Sequence, residues 1–101
     1  MSNSKDNKIK LTPVLKQYME IKNAHPDTVL LFRMGDFYET FFDDAKILAD
    51  AAKVTLTTRD KNSDHPVPLA GVPHHAIQTY LTRLLSAGHT VAICEQVEDP
   101  A

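Results

Sequence analysis

Residues 29–32 read Val-Leu-Leu-Phe, apolar at every position, and no other feature of this 101-residue chain constrains its fold as much. A surface helix shows one apolar stripe, and a strand with one wet face alternates. A short run that is apolar throughout, continued here by Arg33 and Met34, reads as a strand buried within a sheet. Such a strand needs cover, and the flanking segments carry helical patterns that can supply it. Thr12 is placed to cap a first helix, with Pro13 at its first position. Val14, Tyr18 and Ile21 form its apolar stripe, Leu15 and Met19 lie beside them, and Pro26 stops it.

Beyond Glu39 a second helix is expected. Thr40 and Asp43 fit a capping box, and Phe41, Ala45, Leu48 and Ala52 fall at helical spacing. Asp43 and Asp44 suit its positive end, and Lys53 its negative end. Val54–Thr57 reads as a short strand, Arg59–Pro66 as a surface loop, and Val67–Val72 as an edge strand or extended loop between prolines. A third helix begins near Pro73, with Ile77, Leu81, Leu84 and Leu85 inward and Gly88 as its stop. Val91–Val97 reads as a last strand, and its apolar start suggests burial on both faces. The fold class is therefore α/β: a mixed β-sheet flanked by about three α-helices in a single domain. Residues 1–10 read as a flexible tail and 11–101 as the domain. Glu98-Asp99-Pro100-Ala101 follows directly on a strand, so the chain is expected to be the N-terminal piece of a longer protein, cut short at its C-terminal edge.

The formal net charge of −2 argues against strong general DNA binding, which needs a positive surface to displace counterions. It leaves room for a probe that makes few backbone contacts and takes most of its affinity from elsewhere. No apolar run approaches a membrane span and the polar start Met1–Asn7 is no secretory signal, so a cytoplasmic location is expected. Cys94, the single cysteine, lies in an apolar run and reads as a buried structural thiol.

The chemistry concentrates in Arg33-Met34-Gly35-Asp36-Phe37-Tyr38-Glu39. In an extended segment Phe37 and Glu39 point to the same side, which sets an apolar wedge beside a hydrogen-bonding group. A wedge can enter a base stack from the minor groove, and a polar neighbour can test the base edge it meets. The plain alternatives are a core phenylalanine and an ordinary acid near a helix start. Thr57-Thr58-Arg59-Asp60-Lys61 offers hydroxyls and positive charge for phosphate, or is simply a solvated loop. A different class of function, a metal-dependent nuclease, would use Asp36, Glu39 and Asp43, with Lys46 and Lys53 the nearest bases; helix N-terminal charge is the plain explanation of those acids. The adjacent His74 and His75 lack zinc-finger spacing, and no Gly-rich phosphate loop is present.

Four blocks resemble one known family. They are Arg33–Glu39 with its Phe-x-Glu, Phe42-Asp43-Asp44-Ala45, Pro68-Leu69-Ala70-Gly71-Val72-Pro73-His74-His75-Ala76, and Val91–Gln96 leading to Asp99-Pro100. In this order and spacing, from about Leu11 onward, the chain is similar to the N-terminal mismatch-recognition domain of the bacterial MutS family of DNA mismatch repair proteins. Leu31-Phe32 stands where an aromatic pair is common in the family, and Leu69 where Met is frequent. The resemblance implies a non-enzymatic binding module with no cofactor of its own, ATP and Mg²⁺ being used by an ATPase elsewhere in a longer protein. It implies mismatched double-stranded DNA as partner, a MutL partner and a dimeric or larger parent, the fragment itself being monomeric, in a bacterial cytoplasm near the nucleoid. It also implies that Phe37 stacks on a mispaired or unpaired base, that Glu39 hydrogen-bonds it, and that Met34, Arg59, Pro68 and Leu69 are candidate backbone or minor-groove contacts.

Overall fold

The computed structural model describes residues 12–59 and 65–95. The expected tail over 1–10, the middle of the polar loop at 60–64, and the chain from 96 onward lie outside them. Helix α1 (Pro13–Ala24) opens as its sequence requires: the Thr12 hydroxyl accepts from the Leu15 amide at 3.3 Å, and Pro13 needs no partner in the first turn. Strand β1 (Val29–Met34) leads through the two-residue turn Gly35-Asp36 into β2 (Phe37–Phe41), and Gly35 at φ +59 supplies the positive φ such a hairpin needs. Helix α2 (Phe42–Ala52), β3 (Thr57–Arg59), β4 (Val67–Pro73), a 3₁₀ turn at His74–Ala76, α3 (Ile77–Ser86) and β5 (Val91–Cys94) complete the order.

The strands form one sheet in the order β3-β4-β2-β1-β5. β5 runs parallel to β1 and the other pairs are antiparallel, so the sheet is mixed, as expected. The all-apolar run is explained by its two faces. Leu30 and Phe32 pack with Phe41 and Val67 under Leu15 and Tyr18 of α1. Val29 and Leu31 pack with Tyr38, Ala70 and Val72 under Ala45, Leu48 and Ala52 of α2 and Leu84 of α3. Of the stripe expected on α1, Leu15 and Tyr18 are fully buried, Val14 and Ile21 half-buried, and Met19 exposed at the margin.

Several expectations fail for identifiable reasons. Residues 37–41, where no separate strand was expected, form β2, because the apolar–polar alternation of Phe37-Tyr38-Glu39 follows the two-residue turn. The capping box does not form. Thr40 is buried in β2 with its hydroxyl 3.1 Å from that of Tyr18, and the N-cap of α2 is Phe41, without a side-chain bond. Strand gives way to helix with no residue between, and Phe42 takes φ +57, a sparsely populated backbone for a bulky side chain. Asp44 is buried rather than a surface charge: it accepts from the Tyr18 hydroxyl at 2.7 Å, the Leu30 amide at 3.1 Å and the Lys22 ammonium at 3.0 Å. It thus ties α1, β1 and α2 together, and burial beside it pushes the Tyr18 phenol well above its usual range.

The strand expected at Val54–Thr57 starts only at Thr57, because Lys53 in the left-handed conformation ends α2 and residues 54–56 carry the chain back to the sheet. Val67–Pro73 is an interior strand, not an edge: its prolines fall near its ends, and it pairs through 69–73 with β2 on one side and through 67–69 with β3 on the other. Leu85 is 58% exposed, since Ile77, Leu81 and Leu84 already define the inward face of α3 and Leu85 lies around the helix from them. β5 is an edge strand, with Ile93 exposed and Cys94 half-buried, so burial on both faces fails there. Partial burial still raises the Cys94 thiol above its ordinary value. No helix among the described residues is long and apolar enough to cross a membrane.

Candidate nucleic-acid interface

Along β2, side chains two apart share the face that α1 partly covers. Exposure rises steadily along that line. Phe41 is fully buried, Glu39 is half-buried, and Phe37 at the hairpin is 45% exposed. The cluster beneath α1 ends at Phe32 and Phe41, with Met34 and Leu69 at its margin. The hairpin end of this face is therefore open, and the Phe37 ring stands on it. Met34 lies directly across from Phe37 in the register, and Pro73 is its partner on the other side.

Glu39 sits one step inward from the ring, opposite Phe32 on β1 and Gly71 on β4. Burial pushes its carboxyl above the ordinary carboxylate value, and the positive charge of Arg59 pulls it part of the way back. Arg59 ends β3 opposite Val67, and its guanidinium reaches the Thr12 hydroxyl at 3.4 Å. Leu69 pairs with Phe41 on the same face. Pro68 does not join this group: it alternates with Leu69 and belongs to the opposite side of the sheet. The fold thus brings Met34, Phe37, Glu39, Leu69 and Arg59 to one face and leaves Pro68 out.

The reverse of the hairpin carries a set of contacts that the sequence did not reveal. Arg33 donates from Nε to the Gly35 carbonyl at 2.6 Å and pairs with Glu95 at 3.2 Å, while its guanidinium lies 5.5 Å from the Tyr38 ring centroid. The Tyr38 hydroxyl donates to Glu95, which raises its phenol above the ordinary value. The His74 ring lies 6.1 Å from that of Tyr38, and the His74 amide donates to the Asp36 carbonyl at 2.7 Å. The hairpin bearing Phe37 is thus gripped from behind by β5 and the 3₁₀ turn. Nothing in the residue pattern pairs Tyr38 with Glu95, 57 positions apart.

A second missed residue is Gly71. A Cβ built on it would lie 3.2 Å from the Tyr38 carbonyl oxygen, 3.3 Å from Glu39 Cγ and 3.6 Å from Phe37 Cδ2. A glycine inside a strand is the signal that could have marked it. Asp36 on the turn, Glu39 within β2 and Asp43 on the first turn of α2 are not brought together: among the described residues no group of three or more His, Cys, Asp or Glu side chains is placed to hold a metal ion.

Comparison with known proteins gives a consistent result. The family model described as MutS domain I matches residues 12–101. The DNA mismatch repair protein MutS of Desulfatibacillum aliphaticivorans is 54% identical over 92 residues, covering 91% of this chain and 10% of that protein. Its namesake from Lactococcus lactis is 54% identical over 91 residues, covering 90% of this chain and 11% of that protein. That from Methanosarcina mazei is 57% identical over 91 residues, covering 89% and 10%. The chain spans about a tenth of the length of the curated relatives it matches. With a family model covering all of its described residues and relatives identical at more than half of the aligned positions, the chain belongs to the MutS domain I family.

Proposed function

We propose that this chain recognises mismatched or unpaired bases in double-stranded DNA, with Phe37 as a wedge entering from the minor groove and Glu39 as the group that tests the base. The observation that carries this is the Phe37 ring, 45% exposed at the open end of a sheet face, with a half-buried carboxyl one step along the same face. The name its relatives carry, DNA mismatch repair protein, supports it. Separating two base steps costs a few kcal/mol. Stacking an aromatic ring on a base returns about 1–3 kcal/mol. On paired DNA the two nearly cancel. A mismatch has already lost pairing and stacking, so insertion succeeds there, and one ring serves many mismatches.

Glu39 adds a second test. Ionised, it only accepts hydrogen bonds and suits thymine N3–H; protonated, it donates to purine N7. Its burial already favours the proton, and nearby phosphates push in the same direction. Ionised beside matched DNA, it repels phosphate. Met34, Leu69 and Arg59 flank the wedge as groove and backbone contacts in this proposal, whereas the position of Pro68 gives it no direct part. ATP, Mg²⁺, a MutL partner and oligomer formation belong, in the same proposal, to a longer polypeptide.

The test places this chain in the Lactococcus lactis relative in exchange for the matching segment. Binding to G·T and matched duplexes is compared at one salt concentration. Phe37→Ala is expected to remove the preference, a loss of roughly 5- to 150-fold, corresponding to about 1–3 kcal/mol of stacking. Glu39→Ala should weaken discrimination while tightening binding to matched duplex. A preference ratio unmoved by Phe37→Ala rules the wedge out.

A further inference from the structure

The chain has three glycines, and two are explained by backbone alone. Gly35 and Gly88 have φ of +59 and +93, and a Cβ on either would meet nothing within 4 Å. Gly71 is the reverse case. Its φ is one that any residue adopts, and it lies inside β4 between Ala70 and Val72, where glycine weakens a strand. Space is what singles it out. The three atoms nearest to such a Cβ all belong to β2, and two of them are on Phe37 and Glu39.

We infer that Gly71 is a positioning residue for base recognition: its missing side chain lets Glu39 lie down against the sheet beside the Phe37 ring, so that acid and ring face one nucleotide together. The inference rests on the mismatch function proposed above. The three distances say which group gives way. The Tyr38 oxygen, at 3.2 Å, is backbone of a strand paired on both sides and moves only with its neighbours. The Phe37 contact at 3.6 Å is ordinary van der Waals separation. Glu39 Cγ, at 3.3 Å, sits on a rotatable bond and escapes by turning about Cα–Cβ. A methyl group at position 71 therefore turns the acid away from the ring while leaving the ring in place.

The experiment reads side-chain conformation by NMR in the isotopically labelled 101-residue chain, and compares binding of G·T and matched duplexes at one salt concentration in the Lactococcus lactis exchange protein described above. Gly71→Ala is expected to keep the sheet's amide pattern, change the χ1 couplings of Glu39 but not of Phe37, and lower the G·T-to-matched preference about fivefold, the worth of one hydrogen bond. In a Glu39→Ala background, where Cγ is absent, Gly71→Ala should add no further loss. Unchanged Glu39 couplings overturn the inference. So does an equal loss in both backgrounds, which assigns Gly71 to its contact with the Tyr38 backbone. Should Gly71→Ala alone unfold the chain, recovery of the fold in the Glu39→Ala background supports the same steric pairing, and failure to recover overturns it. A wild-type exchange protein with no G·T preference, while Gly71→Ala still turns Glu39 in the chain, keeps the positioning and removes the mismatch function instead.

Discussion

Leu31 and Phe37 are large apolar residues on adjacent strands of one sheet. Leu31 is fully buried beneath α2 and α3, whereas Phe37 keeps 45% of its surface at the hairpin. The difference lies in the cover. One face of the sheet is roofed by two helices. The other has α1 alone, whose cluster stops at Phe32 and Phe41. An apolar side chain beyond that roof contributes little to folding and is free for a partner. Burial of a leucine side chain stabilises by roughly 1.5–3 kcal/mol, which a half-exposed ring largely forgoes.

The sharpest way to break this comparison is to truncate both residues. Leu31→Ala should cost about 3 kcal/mol, through lost transfer energy and a cavity between β1 and α2. Phe37→Ala should cost less than about 1 kcal/mol, as a largely solvated position does. Urea denaturation of the two variants measures both. If Phe37→Ala proves as costly as Leu31→Ala, the open end of the sheet is closed in solution and the ring is a core residue.

The same division governs what could be read from the sequence. The closed face was legible because burial writes itself as pattern: Val29–Phe32 announced a central strand, and Ile77, Leu81 and Leu84 an inward helical stripe. Thr12-Pro13 gave the start of α1 to the residue, since capping is local chemistry. Misplaced elements sat where neighbours in space overrode neighbours in sequence. Thr40 looked like a cap until Tyr18 claimed its hydroxyl, and Asp44 looked like helix-end charge until three donors converged on it. In the candidate site, the Phe37–Glu39 spacing was visible as a period-two pair. The Arg33–Tyr38–Glu95 set and the clearance at Gly71 were not, because they depend on the register of β2 against β4 and on β5 running beside β1.

That grip behind the hairpin offers a subtler test of the same contrast. Glu95 is exposed, yet it holds both Arg33 and Tyr38 and so ties both strands of the hairpin to the residue that follows β5. Glu95→Ala should lower global stability by about 1 kcal/mol or less, since one ion pair is largely solvated and one hydrogen bond is lost. Its local effect should be larger: hydrogen exchange at Gly35, Asp36 and Phe37 should quicken while Leu31 stays protected. Equal acceleration at both places would mean that the hairpin opens only with the whole domain.

The smallest expected effect concerns Glu39, which lies between the two regimes. Its carboxyl is raised above the ordinary value by burial, against the pull of Arg59. Between the unfolded and folded values the folded chain holds more protons than the unfolded one, so stability falls as pH rises through that window. Above the window the cost of a partly dry carboxylate is present in full; below about 4.3 it is absent. Glu39→Gln removes that charge, so the variant should melt higher than the wild type at pH 7, by on the order of 2 °C, and the gap should close as the pH falls toward 4. Thermal melts of both proteins across that range decide it. Equal melting temperatures at pH 7 would place Glu39 in a solvated setting, as if the open end extended one residue further inward. A wild type more stable than the variant at neutral pH would mean that Arg59 outweighs burial and that Glu39 stands ionised before any DNA arrives. The predicted sign leaves a carboxyl already inclined to take up a proton, placed where the roof over the sheet gives out.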